Sequence, residues 1–123
     1  MPKTFHEHCD EIRMKITQIT PQEVIKMKDG NEDFTLIDIR EDNEWDAGRI
    51  KGAIHVGKGI IERDIHLHVP EHDSKIVLYC GGGYRSVLAA DSLQKMGYTN
   101  VISMDGGWKA WNALEGEIEN KLS

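Results

Sequence analysis

The chain has 123 residues and a mass of 13.9 kDa, which fits one domain and leaves little room for two. Its formal net charge is -6 and its pI is about 5.4, which argues against a general nucleic-acid binder and a binder of anionic membranes. Hydrophobic residues make up 39% and charged residues 29%, so a domain of this size can fold on its own core without a metal or a disulfide.

The two cysteines, Cys9 and Cys80, are too few for a disulfide framework. The opening MPKTFHEHCDEIRMK has no apolar core of the signal-peptide type, and no run approaches the roughly 18 apolar residues of a membrane-spanning helix. The sequence therefore predicts a soluble protein of a reducing cytoplasm with free thiols.

The first half of the chain alternates between strand and helix patterns. Residues 1–13 predict a helix or a loose arm, and MKITQIT (14–20) predicts a short edge strand. Thr20 is a candidate N-cap with Pro21 at the first helical position and Glu23 three residues after the cap, which predicts a short helix ended by Asp-Gly-Asn. FTLIDIR (34–40) predicts a strand, EDNEWDAG one or two helical turns, and GAIHV (52–56) a further strand.

The second half continues the alternation. GIIERDIHLHV (59–69) predicts a helix ended by Pro70, and the apolar run SKIVLYC (74–80) predicts a strand buried on both faces. SVLAADSLQKMGY predicts a helix, NVISM a strand and DGGWKAWNAL a final short helix. The order predicts an α/β domain with a mainly parallel sheet of about five strands and helices on both faces. Ligands of such sheets bind beyond the carboxyl ends of the strands, where Cys80 lies.

The segment CGGGYRS (80–86) joins the central strand to the next helix and carries the candidate chemistry. Three consecutive glycines let the backbone curl until successive N–H groups point at one spot. The N-terminus of the following helix adds unpaired N–H groups and the positive end of its dipole, and both favour a thiolate. The candidate residues are Cys80 as nucleophile, with a binding loop of Gly81, Gly82, Gly83, Tyr84, Arg85 and Ser86.

Four segments together resemble the rhodanese family of sulfurtransferases. CGGGYRS resembles the C-x4-R active-site loop of the family, and LIDIREDNEWDAGRIKGAIHV resembles its upstream segment. GKGIIERDI resembles the stretch that follows in single-domain members, and MGYTNVISMDGGWKAW resembles the family's ending. The resemblance covers about residues 20–115 and implies the rhodanese-like three-layer fold.

The resemblance implies a mechanism and a partner class. Cys80 would take sulfur from a small anionic donor such as thiosulfate, a persulfide or a polysulfide, and would become a persulfide. The acceptor would be cyanide or a thiol, including a thiol of a thioredoxin-like or sulfur-carrier protein. No cofactor, nucleic acid or membrane is expected.

Two alternatives remain open beside sulfur transfer. Cysteine phosphatases and arsenate reductases of the related fold resemble C-x5-R, whereas four residues separate Cys80 from Arg85 here, which favours a cradle for one sulfur atom. A non-catalytic binding or sulfur-carrier module is the second alternative, against which the retained Cys80 and Arg85 argue.

Residues outside the loop are assigned supporting roles. Asp38 and Arg40 flank Ile39, so alternation places both on one face of the strand, and the resemblance implies a buried ion pair near the loop. Glu44 is expected to pair with a nearby cation, and Lys58 could meet an anionic donor. Trp45, Trp108 and Trp111 are interpreted as core residues.

The N-terminal segment FHEHC (5–9) raises the question of a metal site. His6, His8 and Cys9 are ligand types, but the sequence offers no fourth ligand at a standard spacing, so no metal site is predicted. Nothing in the sequence places Cys9 beside Cys80. We therefore predict an N-terminal arm over residues 1–13, a rhodanese-like domain over 14–119 and a tail over 120–123.

Overall fold

The computed structural model describes residues 2–120, in which strands and helices alternate along most of the chain. The strands are β1 (Thr17–Ile19), β2 (Thr35–Asp38), β3 (Arg49–Ile50), β4 (Ile54–His55), β5 (Ile76–Tyr79), β6 (Val101–Met104) and β7 (Ile118–Glu119). The helices are α1 (Phe5–Arg13), α2 (Pro21–Asp29), α3 (Asp42–Ala47), α4 (Ile61–His68), α5 (Arg85–Lys95) and α6 (Gly107–Ala113).

Five of the strands form the parallel sheet that the sequence predicts. Their order is β1-β6-β5-β2-β4, with β1 at one edge and β5 in the centre. Each of the four residues of β5 is buried, because helices cover both faces of the sheet. The fold class, the five-stranded parallel sheet and the edge position of the first strand are confirmed.

Alternation along β5 divides the core into two layers. Ile76 and Leu78 face the cluster that α4 and α5 complete, and Cys80 joins the same cluster. Val77 and Tyr79 face the opposite cluster, to which α2 contributes Val24. This two-sided packing requires the near-continuous apolar run of residues 76–80. It also directs Cys80 towards the α5 side of the sheet.

Two helices near the N-terminus begin with capping boxes. At α2 the Thr20 hydroxyl accepts from Glu23 N at 3.2 Å, with Pro21 at the first position, as the sequence predicts. At α1 the Thr4 hydroxyl accepts from Glu7 N at 3.1 Å, and the Glu7 carboxylate accepts from Thr4 N. The N-terminal segment is therefore a capped helix, and α1 packs against α5.

The small antiparallel pair of β3 and β7 was not predicted. Arg49 pairs with Glu119 and Ile50 with Ile118, and two residues are too short a run for a strand periodicity to appear. Of the predicted tail over residues 120–123, only Asn120 lies within the described residues. No helix within residues 2–120 has the length and apolar character needed to cross a membrane.

Candidate active site

Cys80 directly follows the central strand β5, at the carboxyl edge of the parallel sheet. Its side chain is 1% exposed, and its Sγ accepts hydrogen bonds from Gly83 N at 3.2 Å and Ser86 N at 3.4 Å. Ser86 Oγ lies 3.6 Å from the same sulfur and 2.8 Å from Ser103 Oγ. The sulfur therefore lies in a buried polar nest made of loop and helix N–H groups, which suits a negatively charged sulfur.

The three glycines of the loop serve different purposes. Gly83 alone of the three has a positive φ, +90°, and a Cβ there would lie 2.8 Å from Gly106 N. At Gly81 a Cβ would lie 3.1 Å from Arg85 Nη2, whereas at Gly82 the nearest side-chain atom would be 3.9 Å away. Glycine is therefore required at position 83, whereas at position 81 a Cβ would only displace the end of the Arg85 side chain by a few tenths of an ångström.

Helix α6 fixes the orientation of the first two peptide units of the loop. Trp108 N donates to Cys80 O at 2.7 Å, and Lys109 N donates to Gly81 O at 3.0 Å. In a trans peptide the N–H points opposite to the C=O. The N–H groups of Gly81 and Gly82 therefore point away from α6, and they donate to no partner within residues 2–120.

Arg85, the first residue of α5, closes the loop through a carboxylate. Its guanidinium donates to Glu44 Oε1 at 3.1 Å and to Glu44 Oε2 at 3.4 Å. The hydrogen bonds from Arg85 hold the pKa of Glu44 below its usual value, and those same bonds raise the pKa of Arg85. Arg85 thus braces the loop against α3, and it is the cation with which Glu44 pairs.

A buried polar network lies beneath the loop. Arg40 Nη2 donates to Asp38 Oδ2 at 2.7 Å, with 3% of the Arg40 side chain and none of the Asp38 side chain exposed. The Tyr79 hydroxyl donates to Asp38 Oδ2 at 2.7 Å, and burial followed by the Asp38 charge raises the pKa of Tyr79. The Arg40 guanidinium lies 4.5 Å from the Trp108 ring centre, so this network supports the residue that holds Cys80 O.

The arrangement of a buried sulfur, a C-x4-R loop and bracing helices on a five-stranded parallel sheet agrees with the comparisons to known proteins. The rhodanese-like domain family matches residues 20–114. The chain belongs to the rhodanese-like domain family.

Two proteins similar in sequence to this chain are named as sulfurtransferases. The probable adenylyltransferase/sulfurtransferase MoeZ of Mycobacterium tuberculosis is 35% identical over 97 residues, which are 79% of this chain and only 25% of MoeZ. The thiosulfate sulfurtransferase GlpE of Pseudoalteromonas translucida is 33% identical over 104 residues, which are 85% of this chain and 96% of GlpE. The chain is thus similar to one part of a longer protein and to nearly the whole of a short one.

A solved structure covers almost the entire chain. It belongs to a Rhodopseudomonas palustris protein of unknown function, described as a possible tyrosine phosphatase, with a TM-score of 0.81 and 34% identity. The alignment covers 97% of this chain and 99% of that protein. Such coverage extends beyond residues 20–114, to which the family match is confined.

Lys58 lies apart from the loop in this rhodanese-like domain. It is half-buried and, with Arg40 and His55, lines a cavity of about 290 Å³ at the carboxyl ends of β2 and β4. Lys58 N donates to Ile39 O at 3.0 Å, so its backbone is tied to the strand that precedes Arg40. None of residues 80–86 lines this cavity, so a role of Lys58 in donor binding stays a prediction.

Sequence reasoning missed the residues that reach the loop from other elements. Ser103 bonds Ser86 from β6, and Trp108, interpreted from the sequence as core, both packs on the second cluster and holds Cys80 O. Cys9, interpreted as part of a polar arm, is fully buried, and its Sγ lies 3.7 Å from Tyr84 O. The sequence carried one usable signal for α1, the capping box of Thr4 and Glu7.

The close approach of α6 to the loop leads to a prediction at Gly107. Its φ is +55°, and an added Cβ would overlap the carbonyl oxygen of Cys80. We expect Gly107→Ala to lower the free energy of unfolding by about 2–4 kcal/mol, from left-handed strain and steric overlap together. Urea denaturation measures this effect.

Gly59 provides the matched control for that substitution. A Cβ at Gly59 would meet no atom within 4 Å, and Gly59 does not have a positive φ. Gly59→Ala should therefore leave the urea midpoint within experimental error of the parent chain. Equal midpoints for Gly107→Ala and Gly59→Ala would show that the loop and α6 are not packed as described.

Proposed function

We propose that this rhodanese-like domain is a sulfurtransferase that carries sulfane sulfur as a persulfide on Cys80. The observation that carries the proposal is the buried Cys80 Sγ, which accepts N–H hydrogen bonds from Gly83 and Ser86 inside a loop closed by Arg85. Fixed N–H donors stabilise an anionic sulfur without reorganising during the reaction. The names of relatives such as GlpE support the same class of activity.

The first step transfers sulfur from the donor to Cys80. The Cys80 thiolate attacks the outer sulfur of thiosulfate, a new S–S bond forms, and the S–S bond of thiosulfate breaks. Sulfite leaves with the electron pair of that bond, and the enzyme holds Cys80-S-S⁻. With a persulfide donor the leaving group is the corresponding thiolate.

The second step returns the cysteine to its starting state. Cyanide or an acceptor thiolate attacks the terminal sulfur, the persulfide bond breaks, and Cys80 leaves as the thiolate. Thiocyanate or a new persulfide is the product. The N–H groups of Gly81, Gly82, Tyr84 and Arg85 donate to no described residue, and the proposal assigns them to the terminal sulfur.

The charges around the loop bear on the donor. No lysine or arginine lies between Cys80 and Arg85, and the Arg85 charge is already paired with Glu44. Among the described residues, Lys58 lines the neighbouring cavity, and Arg13 reaches the loop but is already bonded to Gly83 O and lies 3.9 Å from Asp105 Oδ1. We therefore expect a thiol persulfide or polysulfide to be used at least as well as thiosulfate.

Phosphatase chemistry is the alternative activity, because the structurally similar Rhodopseudomonas palustris protein is described as a possible tyrosine phosphatase. A phosphate monoester presents a tetrahedral group with several oxygens, whereas this loop has four residues between Cys80 and Arg85. In a phosphatase the loop arginine would bind the phosphate oxygens. Here both terminal nitrogens of Arg85 already donate to the Glu44 carboxylate. The shorter loop and the paired arginine favour the single sulfur atom.

Intact-mass measurement tests the proposal. Wild-type protein incubated with glutathione persulfide, and separately with thiosulfate, is expected to gain the mass of one sulfur atom. Trypsin cuts after Lys3, Arg13, Lys75 and Arg85, which places Cys9 in the peptide of residues 4–13 and Cys80 in that of residues 76–85. Added sulfur on residues 76–85 supports the proposal, whereas sulfur only on residues 4–13, or hydrolysis of p-nitrophenyl phosphate without sulfur uptake, contradicts it.

A further inference from the structure

Helix α1 lies outside the family match, yet it contacts the active-site loop directly. Its buried residues Cys9 and Ile12 face inwards, and the helix packs against α5, which begins at the loop. Arg13, the last residue of α1, lies at the loop itself. The N-terminal helix is therefore adjacent to the chemistry although the rhodanese-like match begins only at residue 20.

Two side chains of α1 bond the carbonyl groups of the second half of the loop. Arg13 Nη2 donates to Gly83 O at 3.3 Å, and Cys9 Sγ donates to Tyr84 O at 3.7 Å. Helix α6 makes the equivalent bonds to the carbonyls of Cys80 and Gly81. The loop is thus held by its carbonyls from two sides, by α6 in its first half and by α1 in its second.

The bonded carbonyls determine where the loop N–H groups point. Gly83 O shares a peptide unit with Tyr84 N–H, and Tyr84 O shares one with Arg85 N–H. Tyr84 O also accepts from Val87 N at 3.1 Å, so Cys9 and the first turn of α5 fix the second of these units together. Because the two groups of a trans peptide point in opposite directions, carbonyls drawn towards α1 turn these N–H groups away from α1. Neither N–H donates to another described residue.

The side chain of Tyr84 strengthens the attachment. Its ring stacks on His6 with a centroid distance of 4.3 Å, and the Arg13 guanidinium lies 4.9 Å from the ring centre. A cation over the face of an aromatic ring is attracted by the negative charge density of that face. Arg13 also lies 3.9 Å from Asp105 Oδ1, so it links α1 to both the loop and the turn before α6.

We propose that α1 is a positioning element of the active site, in which Arg13 and Cys9 hold the Gly83 and Tyr84 carbonyls and so keep the loop in the conformation that places the Gly83 and Ser86 N–H groups on Cys80 Sγ. The effect on sulfur transfer rests on the proposed function. The effect on the Cys80 thiolate is independent of the proposed function, because it concerns the resting enzyme before any sulfur is transferred.

Cys9 fits the role of a donor better than that of a second nucleophile. Burial raises the pKa of the Cys9 thiol, while Arg13 acts in the opposite direction. A fully buried thiol that keeps its proton can donate to Tyr84 O, but it offers little thiolate for attack on a persulfide. Cys9 is therefore a positioning residue.

The pH profile of Cys80 alkylation tests the inference on the full chain. Iodoacetamide labelling is followed on the peptide that contains Cys80, and the pH of half-maximal rate is compared among the parent, Arg13→Ala and Arg13→Lys. We expect Arg13→Ala to raise the pH of half-maximal alkylation by about 0.5–1 unit, because the loop loses one hydrogen-bonded anchor and stabilises the thiolate less. Lysine keeps a donor with similar reach, so Arg13→Lys should recover at least half of the shift.

Repeating the alkylation profile at high salt distinguishes two effects of Arg13, which are its hydrogen bond to Gly83 O and its positive charge. The other charged or titratable groups on the elements around the loop all remain in the variant, and they are Arg85 with Glu44, Glu41, Lys58, Lys109, His6, Asp10 and Asp105. A shift caused by lost charge would fade as the Debye length falls to about 3 Å at 1 M salt, whereas a shift caused by a reoriented peptide would persist. A shift that disappears at 1 M salt, or no shift at all, would overturn the inference.

Further variants complete the test. Glu11→Ala, on the exposed side of α1 where it pairs with Lys3, leaves the loop contacts in place and should not move the midpoint. Cys9→Ala should move it upwards, and Cys9→Ser, which keeps a donor, should move it less. Recovery of a Cys9–Cys80 disulfide after sulfur loading would overturn the donor role of Cys9. Sulfur uptake is scored separately, so failure of the proposed function and failure of the positioning role are distinguishable.

Discussion

Cys80→Ser is expected to lower sulfur transfer by at least about a thousandfold while the fold remains intact, because the nucleophile itself is lost. A serine hydroxyl is not appreciably ionised at neutral pH and cannot form the persulfide. Its oxygen can still accept from Gly83 N and Ser86 N, so the free energy of unfolding should change by no more than about 1 kcal/mol. Thiocyanate formation at saturating cyanide measures the rate.

The outcome is decided by two measurements on the same preparation. Urea denaturation establishes that the variant is folded, and intact mass after incubation with donor establishes whether sulfur is bound. A folded Cys80→Ser chain that still gains sulfur or still produces thiocyanate would remove Cys80 from the mechanism. Loss of both signals from a folded chain assigns the persulfide to Cys80.

The sequence was most informative where a pattern runs over several residues. The apolar run before Cys80 predicted a strand buried on both faces, and Thr20 with Pro21 and Glu23 predicted the start of α2. Both features are local, and a periodicity or a cap is enough to identify them. The pair of β3 and β7 is not local, because two-residue strands acquire their pairing only from the tertiary fold.

The same distinction applies to the site. The loop from Cys80 to Arg85 is contiguous, so its residue types and spacing were visible in the sequence. The partners that orient the loop are distant in the chain, and Cys9 and Trp108 reach it only because α1 and α6 pack beside α5 and β5. For α1 the capping box was present, but only Cys9 and Ile12 are buried along its length, which leaves a weak apolar pattern.

The buried pair of Asp38 and Arg40 connects fold stability to the loop. Asp38 accepts from the Arg40 backbone and side chain and from the Tyr79 hydroxyl, and Arg40 Nη2 also donates to Gly48 O at 2.6 Å. The guanidinium then packs on the ring of Trp108, whose N–H holds Cys80 O. Loss of the carboxylate should therefore affect both unfolding and the geometry of the loop.

Asp38→Asn is expected to lower the free energy of unfolding by about 3–5 kcal/mol, because it leaves the Arg40 charge buried without its counter-charge. That is a large share of the roughly 5–15 kcal/mol that stabilises a typical domain. The denaturation midpoint in urea measures the loss, and the rate of sulfur transfer at low urea reports on the loop. Glu117→Gln, which removes an exposed pairing with Lys51, should cost no more than about 1 kcal/mol.

A double variant separates the ion pair from the packing of its side chains. When Asp38→Leu and Arg40→Met are combined, no unpaired charge remains buried, so the pair should cost less than Asp38→Asn alone. A double variant that is less stable than the single one would show that the hydrogen bonds from Tyr79 OH to Asp38 and from Arg40 to Gly48 O matter more than charge pairing. An Asp38→Asn chain as stable as Glu117→Gln would contradict the buried pair itself.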